Sequence, residues 1–191
     1  MRIMLTIAAA ALLAQEKDHF PSKKGIEWTY QFEDDKTEQL YTCEGTKTID
    51  DVECIVIKRA DKEECLGREY FGLTEEGIVM YGSGFKDEDP ELDFENPRLV
   101  LKFGAKKGAT WEAKDGDIAL AFEHGGEEEV EVPAGKYKAV KIICRYKSSL
   151  GDSTLTEWYA KGVGLVKSLS VTKMEKEESK VSRVLKKFKA P

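Results

Sequence analysis

The sequence predicts a mainly β protein built as a single antiparallel curled sheet, a half-barrel of roughly a dozen strands. Three observations carry the prediction. Apolar and polar residues alternate with period two along most of the chain. Turn chemistry recurs at short intervals, as in Asp50-Asp51, Pro133-Ala134-Gly135 and Gly162-Val163-Gly164. No proline- or serine-rich linker, internal repeat or low-complexity block divides the chain, so the strands belong to one domain.

The elements follow in order. Residues 1–14 read as an export signal: Arg2 supplies a positive start and an apolar run follows it. That run is shorter than the roughly 20 apolar residues a spanning helix needs. Ala14 is the expected last residue of the signal, although Leu12 is larger than the usual small residue two positions earlier. Residues 15–24 are polar and read as a flexible lead-in, and residues 25–191 as the β half-barrel domain. Ile26, Trp28, Tyr30 and Phe32 alternate with polar residues in a first strand. A second strand starts at Leu40 and ends near Ile49, where Asp50-Asp51 makes a hairpin to a β-branched strand over 52–58. Residues 68–73 and 78–81 pair across the turn at 74–77.

Residues 82–97 read as a loop pinned by Phe85 and Phe94. Leu99, Val100 and Leu101 form a short apolar run, and Trp111 starts another strand. Residues 118–123 follow, with Gly125-Gly126 read as a turn before the strand of Val130 and Val132. Past Pro133-Ala134-Gly135 comes the longest apolar strand, over 137–147, then strands over 153–159 and 165–171. At the tail, Val181, Val184, Leu185 and Phe188 have helical spacing. A run of antiparallel hairpins ends most naturally in one more strand, and a strand is the expectation here.

Charge and cysteine narrow the class. The formal net charge is −6, and loss of Arg2 with the signal makes it −7. An acidic chain lacks the positive face that phosphate binding needs, so nucleic acid is not an expected partner. Removing 14 of the 191 residues leaves 177, enough for one domain with a sizeable core and no membrane span. Cys43, Cys54, Cys65 and Cys144 permit one or two disulfides in an exported chain, with three full pairings open. If Asp50-Asp51 is a two-residue turn, Cys54 lies opposite Lys47 and Cys43 opposite Lys58. The two cysteines then share a face but sit too far apart along the ladder to bridge. Wide cysteine spacing and only two histidines, His19 and His124, argue against zinc.

The phrases Val130-x-Val132-Pro133-Ala134-Gly135-x-Tyr137-x-Ala139-Val140 and Thr156-x-Trp158-Tyr159-Ala160-x-Gly162-Val163-Gly164-Leu165-Val166-Lys167 resemble the DUF3108-like (TapB-like) bacterial envelope proteins. Upstream, Gly108-x-x-Trp111 and the strand over 52–57 continue the likeness. The resemblance implies an exported LolA-like half-barrel, similar to the LolA and LolB lipoprotein carriers. It implies no activity. The usual glycine of that family's Asp-Gly turn is Asp51 here.

No catalytic set stands out. Ser83, Ser148, Ser149 and Ser153 lie outside any Gly-x-Ser-x-Gly elbow, and His124 reads as an exposed hairpin residue. Asp87-Glu88-Asp89 lacks the spacing of a calcium loop. No phosphate-cradling glycine motif occurs. The expectation is therefore a non-enzyme without cofactor or metal, exported to the periplasm or secreted. It would bind an apolar small molecule or lipid in the concave face, near Trp28, Tyr30, Trp111, Val140, Ile142, Trp158 and Tyr159. The alternative is a structural or interaction module with a filled core and an envelope protein as partner.

Overall fold

A computed structural model of the chain describes residues 17–86, 88, 90–149, 151–175 and 177–191. The expected signal, most of the Asp87-Glu88-Asp89 cluster, and Leu150 and Lys176 lie outside the described residues.

Among the described residues, thirteen strands form one antiparallel sheet that is not closed. They are β1 (Glu27–Phe32), β2 (Glu38–Ile49), β3 (Val52–Asp61), β4 (Glu64–Leu73), β5 (Gly77–Phe85), β6 (Glu91–Leu92) and β7 (Arg98–Lys102). Next come β8 (Thr110–Asp115), β9 (Ile118–Val132), β10 (Gly135–Ser148), β11 (Gly151–Ala160), β12 (Gly164–Lys173) and β13 (Glu178–Lys189). Successive hairpins run outward from β1 on one side, and β13 back to β8 on the other, so β1 and β13 pair at the middle of the sheet. The short strands β6 and β7 share one edge of β5. The curled sheet brings β7 and β8 close without a ladder between them. Trp111 Nε1 donates to Leu99 O at 2.7 Å, and Arg98 Nη1 meets Asp115 Oδ2 at 2.6 Å.

The expected final strand is present as β13, and its helical spacing has a physical origin. A bulge sits opposite Thr29 and Tyr30: Phe188 pairs Trp28 and Leu185 pairs Tyr30, leaving Lys186 unmatched. Two inward positions two residues apart on β1 are therefore three apart on β13, which imitates a helix in the sequence.

Bulges also correct two other expectations. Glu44 is extra on β2, so Cys43 pairs Ile57 rather than Lys58, while Cys54 does pair Lys47. One extra residue reverses the faces. Cys43 packs in the main core, and Cys54 in a separate cluster with Val56 and Tyr70. All four cysteines are free thiols. Gly125-Gly126 is not a turn but lies inside the continuous strand β9. Gly126 pairs Lys141 and His124 pairs Ile142, with Gly125 unmatched. Gly126 has φ 93°, a value glycine adopts without a Cβ clash. His124 is accordingly buried, its Nδ1 accepting from Gly126 N at 3.1 Å, and is not the exposed hairpin histidine the pattern implied.

Asp50 and Asp51 both have positive φ, 47° and 63°, the conformation of a type I′ hairpin turn. The turn forms without the customary glycine because aspartate tolerates the left-handed region better than most residues.

The concave face carries the main core, with Ile78, Ile142, Leu185 and Val166 almost fully buried. Each such side chain contributes about 1.5–3 kcal/mol through removal from water. A smaller cluster lies on the convex face of β3 to β5, where Tyr81 and Phe94 meet at 4.9 Å. Phe94 thus pins the 82–97 segment, but Phe85, expected to do the same, is 59% exposed.

The lead-in is docked over its described part, contrary to the loose segment its polarity implied. Phe20 packs on Phe71 of β4 at 4.8 Å, and Gly162 N of the β11–β12 turn donates to Asp18 O at 2.8 Å. Cys43 Sγ reaches Ser22 O at 3.2 Å. A partly buried aromatic side chain packed against the core helps to dock this short polar stretch.

Candidate cavity in the concave face

The inward residues do not fill the half-barrel. They leave a cavity of about 390 Å³. One end is mostly apolar, lined by Met80 of β5, Val100 of β7, Ile118, Leu120 and Phe122 of β9, and Leu155 of β11, with the paired Arg98 and Asp115 also in its lining and Arg98 Nη2 3.3 Å from Met80 Sδ. Phe20, Pro21 and Phe71 also face it, so the docked lead-in supplies part of the wall. Trp111 stacks on Phe122 at 5.5 Å with the planes 2° apart and fixes that ring.

The other end is polar. Tyr30, Tyr41, Glu69, Glu157, Tyr159 and Arg183 line it. Register builds this end. Glu157 pairs Ser168, and Ser168 pairs Arg183, so β11, β12 and β13 place three polar residues in one row across the sheet. Arg183 Nε donates to Ser168 Oγ at 2.9 Å, and its Nη1 donates to the Tyr41 hydroxyl. Its guanidinium lies over the rings of Tyr30 and Tyr41, at 5.3 and 5.1 Å. Tyr159 donates its hydroxyl to Glu157 Oε2 at 2.8 Å, and Tyr30 donates to Leu165 O at 2.8 Å. Arg59 Nε and Glu69 Oε1 form an ion pair at 3.5 Å.

Burial governs the ionisation of this row. Loss of water raises the Glu157 pKa above the usual carboxylate range, although Arg183 and the Tyr159 hydroxyl partly oppose the rise. Burial, with Glu157 adding to it, pushes the Tyr159 phenol well up, and burial likewise raises Tyr30 and Tyr41. Burial works against the charge of Arg183, but Tyr41, Tyr30, Glu69 and Glu157 outweigh it and keep the guanidinium firmly protonated. Cys144, which also lines the cavity, is pushed up to about 12 by burial and is no nucleophile at neutral pH.

The seven residues expected near a ligand divide by position. Trp28, Tyr30 and Tyr159 line the cavity. Trp28 Nε1 is held by Val163 O at 2.5 Å. Val140 and Ile142 are buried in the core without lining it, and Trp111 stands behind Phe122 at the β7–β8 edge. Trp158 alternates with Glu157 and Tyr159, so it leaves β11 on the side away from the cavity while still packing, buried, with the main core cluster. There its Nε1 donates to Glu128 Oε1 at 2.6 Å, beneath Lys167 at 5.5 Å.

Reading the sequence by its aromatics missed Glu69, Glu157 and Arg183. A signal for Glu157 was available. It occupies the same alternation as Leu155 and Tyr159, so a strand with those two inward puts a carboxylate inward as well.

With this geometry in hand, comparison with known proteins gives the family likeness. The DUF3108-like family model matches residues 123–182, which span β10, β11, β12 and parts of β9 and β13. The Val130 and Thr156 phrases that carry the resemblance both lie within the matched residues. A solved structure from Bacteroides fragilis, described as an exported protein with a YmcC-like fold, is 15% identical, with TM-score 0.51. The alignment covers 90% of this chain and 98% of that one, and shows a common fold. A second, from Parabacteroides distasonis and described as a lipoprotein, is 16% identical, with TM-score 0.47, over 90% of this chain and 98% of that one. No curated protein matches the chain. None of the matches indicates a catalytic family. No helix among the described residues is long and apolar enough to cross a membrane.

Proposed function

We propose that this is an exported, non-enzymatic protein of the cell envelope that holds an apolar ligand, a lipid or acyl group, in the concave face of its half-barrel. The unfilled cavity of about 390 Å³ carries the reading. Interiors are normally packed as densely as organic crystals, whereas the half-barrel keeps a partly open hollow lined in part by Met80, Leu120 and Phe122. Its volume lies in the range of about 300–1,000 Å³ usual for small-molecule sites. Export is supported by the signal-like start and by neighbours described as exported or as a lipoprotein.

Native mass spectrometry of the protein purified from its own envelope tests this, with a solvent extract analysed for lipids in parallel. A co-purifying apolar molecule near one-to-one is the expected result. An empty protein that also takes up no added fatty acid would sink the proposal. The alternative, an interaction module with an envelope protein as partner, has one observation in its favour: Phe85 stands 59% exposed.

A further inference from the structure

The polar end of the cavity holds a cation that no direct contact among the described residues neutralises. Ser168 Oγ, the Tyr41 hydroxyl and two tyrosine rings are the contacts of Arg183, and all are neutral groups. Arg183 is half-buried, and a charge partly withdrawn from water gains from a partner. The two carboxylates that face it are engaged with other partners. Glu69 pairs with Arg59 at 3.5 Å, and Glu157 accepts from Tyr159 at 2.8 Å. Burial also holds Glu157 toward its protonated form, which weakens it as a counter-charge. Among the described residues, Arg183 makes side-chain hydrogen bonds through Nε and Nη1 only. That leaves Nη2 for a group in the cavity that Arg183 lines.

We propose that the cavity takes a single-chain amphiphile with a carboxylate head, of the fatty-acid type, and that Arg183 is the residue that binds the head. The proposal rests on the reading of the cavity as an apolar-ligand site and adds the ligand's class and polarity. A guanidinium is suited to the task because its planar fork matches a carboxylate. The chain runs toward Met80, Leu120 and Phe122 at the apolar end. The volume, about 390 Å³, sits near the lower limit of small-molecule sites, which selects one chain over a lipid with several.

Titration calorimetry of the full-length exported chain, stripped of lipid, with decanoate and with decanol at pH 8 tests the proposal. Decanoate is expected to bind one-to-one and at least tenfold more tightly than decanol. Arg183→Met removes that preference and leaves decanol binding within threefold, and Arg183→Lys, which keeps the charge without the fork, restores part of it. Equal affinity for acid and alcohol in the unaltered protein overturns the head-group assignment and leaves the apolar-ligand reading standing. Binding of neither overturns both. A preference for decanoate that persists in Arg183→Met overturns the role of Arg183. The acid-against-alcohol comparison is made on the unaltered protein, so it holds even where a variant fails to fold.

Discussion

The sheet meets itself in two places, and the two meetings are built differently. β1 and β13 join the chain's two ends by a six-pair backbone ladder, with Tyr30 and Leu185 buried across it. β7 and β8 are consecutive strands, yet an indole hydrogen bond from Trp111 to Leu99 and the Arg98–Asp115 ion pair hold them together. Backbone ladders form wherever two strands are in register. A contact made by two side chains depends on those residues alone, and an ion pair that is partly exposed is screened by salt. The β7–β8 line is therefore the weaker one, and it borders the apolar end of the cavity through Val100.

The contrast can be broken at several points. Leu185→Ala, on the ladder side, empties a fully buried position and should cost about 2–5 kcal/mol in urea unfolding. Trp111→Phe, on the other side, removes the donor to Leu99 and should cost about 1 kcal/mol. Hydrogen exchange separates the two sites: the tryptophan variant should speed exchange in β7 and β8 and leave β1 and β13 unchanged. Equal acceleration in both would mean that the sheet opens as one unit.

The polar row between β11 and β13 supplies a test of sign. Because burial raises the folded-state pKa of Glu157, its contribution to stability is complete below the ordinary carboxylate range. That contribution is lost as pH rises through the folded value. Arg183, Tyr159 and Glu69 act on it throughout that range. Glu157→Gln should therefore gain stability relative to the unaltered protein as pH increases from 4 to 8. A constant difference over that range would show that Glu157 is not held toward its neutral form.

Smaller still is Asp115→Asn, which removes one partner of the Arg98 pair. It should cost about 0–1 kcal/mol and make the melting temperature less sensitive to added salt. Away from both lines, Asp51→Gly relieves a left-handed aspartate at the β2–β3 turn and should stabilise by about 0.5 kcal/mol in the same unfolding assay. A loss of stability there would mean that the Asp51 side chain holds the turn.

Much of the fold was legible because alternation is a local property. Ile26, Trp28 and Tyr30 point one way in any strand, and Pro133-Ala134 turns the chain whatever surrounds it. The candidate site was legible only in part. Trp28, Tyr30 and Tyr159 line the cavity as their alternation implied, but adjacent Trp158 had to take the opposite face. Glu157 and Arg183 were passed over because a charged residue in a strand ordinarily marks the solvated side, and nothing local distinguishes the exception.

What the sequence determined by itself was most of the series of strands and turns, and the family likeness of residues 123–182. Each depends on residues close together in the chain. What only the tertiary structure decided was register. The unmatched Glu44, Gly125 and Lys186 choose the faces of Cys43, His124 and Phe188. Ladder pairing sets Glu157, Ser168 and Arg183 side by side from three strands. A bulge adds one residue to a period of two, and its place is fixed by the strand it must match, which lies elsewhere in the chain.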